Sequence, residues 1–304
     1  MKYLPLILIP ALLAGCATAP PAQVMRAGPA AAPVAAAPSQ APVWPANAPA
    51  LQAQSAILID AQTGEVIFQK NADQQRPVAS TQKLLTALLI VGRGNLDAVL
   101  TIRPEDTRVE PTKLGLRPGE RYTRRSLLEV IMVKSCNDAC TALARDHSGS
   151  DATFASLMNQ AAWSLGARHS HFLNSHGLPA PEYSTARDMA RIAFAAYRQP
   201  ELRRMMRVQQ LAFRHNSGKM TVLKATNKLL ARSPAFTGMK TGYTEAAGRC
   251  LVSSGRVGGR EVILVQLGSK TKNIFDDAQR VMAWSPQSSY YLPVAAYGAA
   301  ERSL

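Results

Sequence analysis

The chain has 304 residues, 47% of them hydrophobic and 18% charged, and 35 Lys and Arg against 20 Asp and Glu give a formal net charge of +15. That length and apolar content suffice to bury a sizeable core, which excludes a collagen-like or wholly disordered polymer. The only strongly apolar run is short and N-terminal, and no later stretch reaches the ~20 apolar residues of a spanning helix, which excludes a polytopic membrane protein.

Met1, Lys2 and the apolar run Tyr3 to Leu13 end in Leu13-Ala14-Gly15-Cys16. Small residues at the two positions before a Cys, directly after such a run, resemble the lipobox of bacterial lipoproteins. The resemblance predicts that residues 1–15 are a removed signal and that Cys16, diacylated, becomes the first mature residue and holds the chain on a membrane through more than one acyl chain. An ordinary signal peptide or an uncleaved anchor is the alternative. Ala rather than Asp at position 17 favours the outer membrane in a Gram-negative cell, on the periplasmic face.

Residues 17–50 are roughly two thirds Ala and Pro with almost no charge, so with Cys16 they read as an extended, semi-stiff tether over 16–50. About 254 residues remain for one globular unit, expected over 51–290 and followed by a tail at 291–304. Gln54 to Asp60 and Glu65 to Gln69 are β-prone runs joined through Gly64 as a hairpin. After Pro77 the pattern turns helical, and Leu84, Leu85, Ala87, Leu88, Leu89 and Val91 leave almost no polar face, so this helix is expected to be buried and to end at Gly92 and Gly94. Helices are predicted at 126–133, 137–147, 151–165 and 184–198. Strands follow at 206–213, 218–225, 238–244, 249–257 and 261–268, with a closing helix at 272–284. Strands from both ends of the chain around a helical insert point to one sheet, a second lobe and a cleft between them.

Three short motifs lie on these elements. Ser80-Thr81-Gln82-Lys83 puts a hydroxyl and an amine one turn apart on the same face at the start of the apolar helix, where a desolvated lysine has a lowered pKa and can take the serine proton. A second S-x-x-K at Ser269 to Lys272 falls in a charged strand-to-helix loop. Ser135-Cys136-Asn137 sits between two helical runs and also reads as a plain helix N-cap. Lys240-Thr241-Gly242, followed by Tyr243, is the least expected by chance in this composition, at roughly 0.04 occurrences. On an edge strand Lys240 and Thr241 suit a terminal carboxylate, and Gly242 keeps no side chain against a substrate backbone.

The order S-x-x-K, S-x-N, K-T-G resembles the penicillin-recognising serine enzymes, and within them the D-alanyl-D-alanine carboxypeptidases of the low-molecular-mass penicillin-binding type. Val78 to Ala87, Ser135 to Ala139, Asn174-Ser175-His176-Gly177-Leu178, Ser184 to Ala190, Thr226 to Leu230 and Gly238 to Thr244 carry the likeness, over about residues 52–285. The resemblance implies an α/β two-lobed penicillin-binding/β-lactamase-like fold, with an antiparallel sheet flanked by helices and an inserted all-helical lobe. It implies acyl-enzyme chemistry on Ser80, with Lys83 as base and Ser135 as proton relay to the leaving amine. Asn137 would hold the substrate amide, Lys240 and Thr241 its carboxylate, and the N–H groups of Ser80 and Tyr243 the oxyanion. The expected substrates are peptidoglycan stem peptides ending in D-Ala-D-Ala, with β-lactams as covalent inhibitors and no cofactor. D,D-endopeptidase action on cross-links is the alternative. A class A β-lactamase is disfavoured, because no E-x-x-L-N segment lies between Ser135 and Lys240: Glu182 is followed by Tyr-Ser-Thr-Ala. Cys136 departs from the small residue common at the middle of the S-x-N motif, and the chain ends about twenty residues after the peptidase unit.

Cys136, Cys140 and Cys250 leave the thiol pairing open, since a spacing of four on a helix suits a disulfide poorly. His169, His171 and His176 have no partners at zinc-like spacing, so no metal is expected. For an exported chain the positive surplus fits cell-wall polyanions rather than nucleic acid.

Overall fold

The structure is a computed structural model and describes residues 43–257 and 259–284. The proposed signal, Cys16 and the C-terminal tail lie outside the described residues, as do most of the tether and the last residues of the expected globular unit.

Strand β1 (Ser55–Asp60) turns back into β2 (Val66–Lys70). Gly64 takes the left-handed conformation at φ +79°, and Asp60 Oδ1 accepts the N–H groups of Gln62 and Thr63 at 2.7 and 3.0 Å. Far along the chain come β7 (Phe236–Thr244), β8 (Gly248–Val257) and β9 (Arg260–Ser269). All neighbours pair antiparallel in the order β2-β1-β9-β8-β7, with Ser55 opposite Leu267 and Lys240 opposite Val252. The sheet is thus built from both ends of the chain, as expected, and β7 is an edge.

The insert between β2 and β7 carries α1 (Lys83–Arg93), the short strands β3 (Val99–Thr101) and β4 (Arg121–Thr123), α2 (Arg124–Val133), α3 (Asn137–Ser148), α4 (Asp151–Ser164), α5 (Ala186–Tyr197) and α6 (Pro200–Met206). Side-chain oxygens cap three of these helices: Thr123 accepts from Ser126 N, Ser150 from Thr153 N and Thr185 from Asp188 N. Leu84, Leu85, Ala87 and Ile90 of α1 are fully buried among the surrounding helices α2 to α6, of which α5 packs on β1 and β9, as its all-apolar pattern required. The opposite face of the sheet is covered by α7 (Ile274–Trp284), which buries Ile274, Ala278, Val281 and Met282 against Leu58, Leu251 and Leu264. Each of the larger side chains contributes about 1.5–3 kcal/mol.

Two sequence expectations need correction. The strand expected over 206–213 begins only at Gln210, because Gln199-Pro200-Glu201 starts α6, which ends at Met206; Pro at the first helical position and an acid in the first turn were the missed signals. The resulting β5 (Gln210–Arg214) and β6 (Met220–Lys224) also stay out of the main sheet and form a separate two-stranded hairpin. Its inward Phe213 meets the Tyr122 ring at 5.3 Å between centroids. The open question of the thiols is answered: Cys136, Cys140 and Cys250 are all free and buried.

Candidate active site

Ser80 stands on the tight turn Ala79–Gln82 that leads into α1. Ala79, a non-glycine residue, is held at φ +48°, a strained conformation of the kind that costs about 1–3 kcal/mol and persists where neighbours enforce it. Two glycines do so. A Cβ on Gly177 would lie 2.3 Å from the carbonyl carbon and oxygen of Ala79, and one on Gly242 would lie 2.9 Å from Ser80 N. The missing side chain of Gly242 therefore makes room for the serine's own turn, a requirement additional to the substrate clearance expected from sequence.

Lys83, one turn on, is fully buried. Its Nζ donates to Ser80 Oγ at 2.8 Å, to Asn137 Oδ1 at 2.8 Å and to the carbonyl oxygen of His176. Ser80 Oγ in turn donates to that same His176 carbonyl at 3.1 Å. Burial pulls the Lys83 pKa down to about 8, opposed by the more distant Cys140, Cys136, Glu182 and Asp151. When the amine is neutral, Asn137 Oδ1 and His176 O hold two N–H groups and the lone pair is left facing the Ser80 hydroxyl. That arrangement can deprotonate the serine.

The helix-cap reading of the second motif is settled by Cys136, which is the N-cap residue of α3 and contributes no side-chain cap. Asn137 opens the helix with its amide turned to Lys83. Ser135 sits on the turn before it at φ +69°, is 9% exposed, and its hydroxyl makes no hydrogen bond to another of the described residues. Desolvation raises the Cys136 thiol to about 12 and the Cys140 thiol to about 11, so neither is a thiolate near neutral pH.

On β7, Lys240 is also fully buried, donates to Thr241 O at 3.0 Å, and has its pKa pushed well down by burial and then by the charge of Lys83. Thr241 Oγ1 donates to Thr226 Oγ1 at 2.7 Å. Tyr243 points outward, 56% exposed, with the Arg249 guanidinium 5.0 Å from its ring centre. Ser80, Lys83 and Asn137 are thus directly bonded, and the K-T-G strand lies against the serine turn through Gly242.

Several contributors escaped the motif reading. The Asn174 side-chain oxygen accepts from His176 N at 3.1 Å and Gly177 N at 2.6 Å, and this local turn aims the His176 carbonyl at the Ser80–Lys83 pair. Glu182 accepts from Asn174 Nδ2 at 3.0 Å and Leu173 N at 3.1 Å, and more loosely from Gln82 Nε2 at 3.4 Å; it ties the serine helix to that turn. Burial raises the Glu182 pKa. His176 itself is pushed down to about 3 by desolvation, so its ring is neutral and only its main chain meets the serine–lysine pair. The Asn-Ser-His-Gly run carried these functions as a family likeness only, because a main-chain carbonyl leaves no residue-type signature.

Among the described residues no cluster of three or more His, Cys, Asp or Glu could hold a metal ion. The second S-x-x-K copy is no alternative pair: Ser269 is buried at the end of β9 and Lys272 is exposed. The positive surplus is concentrated: from Leu202 to Thr244 the chain has nine Lys and Arg and no Asp or Glu. Arg207, Arg214, Lys219, Lys224 and Lys228 within it are exposed.

The packing of Gly177 makes a sharp prediction. Gly177→Ala would combine a left-handed φ of +82° with overlap onto main-chain atoms, a cost of about 3 kcal/mol, or a Tm roughly 6–12 °C lower by thermal melt. A serine displaced by ~1 Å loses about 100-fold in acylation rate. Wild-type melting and acylation in this variant would show that Gly177 does not set the turn.

A model of the D-alanyl-D-alanine carboxypeptidase family (Peptidase S11) matches residues 43–271. A D-alanyl-D-alanine carboxypeptidase of Mycobacterium tuberculosis is 32% identical over 248 residues, covering 78% of this chain and 84% of that one. A D-alanyl-D-alanine endopeptidase of Escherichia coli is 30% identical over 256 residues, covering 83% and 82%. A carboxypeptidase of Bacillus subtilis is 33% identical over 226 residues, covering 72% of this chain, which spans only 58% of that relative's length. The crystal structure of a D-alanyl-D-alanine carboxypeptidase from Mycobacterium tuberculosis superposes with a TM-score of 0.77 at 30% identity, over 84% of this chain and 99% of that one. A Streptomyces DD-transpeptidase does so with a TM-score of 0.75 at 28% identity, over 79% and 99%. The fold is therefore the penicillin-binding/β-lactamase-like one, and the chain belongs to the D-alanyl-D-alanine carboxypeptidase family of hydrolases.

Proposed function

We propose that the chain is a serine D,D-carboxypeptidase that removes the terminal D-alanine of peptidoglycan stem peptides through an acyl-enzyme on Ser80. The observation that carries this reading is the Lys83 amine, buried, 2.8 Å from Ser80 Oγ, with Asn137 and the His176 carbonyl fixing its remaining N–H groups. Lys83 takes the serine proton as Oγ attacks the penultimate D-alanine carbonyl. The oxyanion rests between the N–H groups of Ser80 and Tyr243. Ser135 relays the proton to the departing amine, D-alanine leaves, and water hydrolyses the ester. Lys240 and Thr241 hold the terminal carboxylate. Both N–H bonds of the Asn137 amide are engaged by main-chain carbonyls, so a substrate carbonyl has to displace one of them. A β-lactam follows the same first step and stays on Ser80.

Endopeptidase action on cross-links is the second reading, supported by the 30% identity to the Escherichia coli D-alanyl-D-alanine endopeptidase over 83% of this chain. Mass spectrometry of muropeptides after incubation with the protein separates the two. Free D-alanine from pentapeptide monomers is the expected product; dimers falling to monomers would give the endopeptidase reading, and no change in either would sink both. We further propose that Cys16 bears lipid after removal of residues 1–15 and tethers the enzyme in the periplasm, where its acid-free, basic stretch meets wall polyanions rather than nucleic acid. The intact mass of the mature chain checks this, since an unmodified Cys16 would rule it out.

A further inference from the structure

Two consecutive residues at the start of α3 make six hydrogen bonds to the segment Glu110–Leu116. Asn137 N donates to Thr112 O at 2.7 Å, and Asn137 Nδ2 donates to the carbonyls of Glu110 and Pro111 at 2.9 and 3.0 Å. The Asp138 carboxylate accepts the N–H groups of Leu114, Gly115 and Leu116 at 2.9, 2.9 and 3.1 Å. Asp138 is 1% exposed, and no Lys or Arg among the described residues pairs with it, so main-chain dipoles meet its charge. By contrast Glu110, Pro111, Thr112 and Lys113 are exposed.

The Asn137 amide has two unlike ends. Carbonyl oxygens only accept, so those of Glu110 and Pro111 demand the NH2 end, and this leaves the oxygen for Lys83. A flipped amide would set its oxygen against two carbonyls and its NH2 against the lysine. Which end faces Lys83 is therefore decided by where the Glu110 and Pro111 carbonyls lie.

We propose that Asp138 is a positioning residue for acylation: by holding residues 114–116 it places the carbonyls of Glu110 and Pro111 so that Asn137 presents Oδ1 to Lys83. It acts at two removes and touches neither substrate nor serine. The inference rests on the Ser80–Lys83 reading above.

Three variants of the full chain test it, read by the second-order rate of labelling with a fluorescent penicillin, by kcat and KM on a D-Ala-D-Ala pentapeptide, and by Tm. Asp138→Asn keeps the shape but presents one acceptor oxygen to four donors, the three N–H groups of residues 114–116 and that of Ala139, which Oδ1 also accepts at 2.9 Å. Gly115→Ala strains the same turn from the other side, at φ +85° with open space around it, and gives the result if Asp138→Asn does not fold. Glu120→Gln is the control: Glu120 accepts from Arg117 N at 2.9 Å and Tyr122 OH at 3.1 Å, and so anchors the next stretch of chain away from Asn137. Labelling per folded molecule is expected to fall at least tenfold in Asp138→Asn and at least threefold in Gly115→Ala, with the loss in kcat and KM within threefold. Glu120→Gln should lower Tm with labelling within twofold of wild type. Equal labelling in all variants, or a loss confined to KM, overturns the assignment. No labelling of the wild-type chain would instead fail the Ser80 reading itself.

Discussion

Ser80→Ala is expected to stop D-alanine release, by on the order of 10⁴-fold or more in kcat/KM, and to eliminate the covalent penicillin adduct. Among the described residues no other hydroxyl or thiol is hydrogen-bonded to the buried amine. The Cys136 thiol is raised to about 12 by desolvation and is protonated at working pH. Ser135 has no hydrogen bond to Lys83, whereas Ser80 Oγ lies 2.8 Å from it. The fold should survive, because the hydroxyl's bonds are to groups that keep other partners: the His176 carbonyl retains Lys83, and Lys83 retains Asn137. A melt at the wild-type temperature beside an absent mass adduct is the expected pair of results. Full release of D-alanine by this variant would sink the assignment of the nucleophile.

Lys83→Met is expected to lower acylation by about 10²–10⁴-fold, the range for loss of a positioned general base. The pH profile identifies the cause. Only the neutral amine accepts a proton, and with its pKa drawn down to about 8 the lysine is mostly protonated below that value and mostly neutral above it. Wild-type kcat/KM should therefore rise with pH and level off past about 8, and Lys83→Met should lose that rise. A variant that keeps the rise would assign the titration to another group, with Lys240, buried beside Lys83, the first to examine.

The sheet and most helices were legible because their signals are local: Gly64 between two β-prone runs, the all-apolar face of α1, the unbroken apolar run Val262 to Val265 of β9. What escaped was set by partners remote in sequence. Met206 to Gln209 look strand-like until Pro200 is seen to start a helix, and the hairpin β5–β6 has strand chemistry with nothing to say which sheet it joins. In the site, the motifs named side chains correctly as neighbours: Ser80, Lys83 and Asn137 are bonded. Sequence could not name the His176 carbonyl, nor Gly177 as the residue that lets a loop approach to within van der Waals distance of Ala79. It also assigned Asn137 to substrate alone, because nothing in the Glu110–Leu116 run announces that its main chain already occupies that amide.

The strand order carries a consequence for how the molecule comes to be. β9, the last of the described strands to be made, lies between β1, the first of them, and β8, with Ser55 registered against Leu267. No nascent chain short of residue 269 can close the sheet, and loop closure over nearly the whole unit has to precede any gain from that pairing. Until then β1 and β2 form only a hairpin, which is marginal by itself, while the local contacts of the helical insert are free to form. Catalytic geometry, which needs β7 against the serine turn, is thus acquired only by the finished chain, and a truncation that removes β9 should leave a collapsed helical lobe with no enzyme in it.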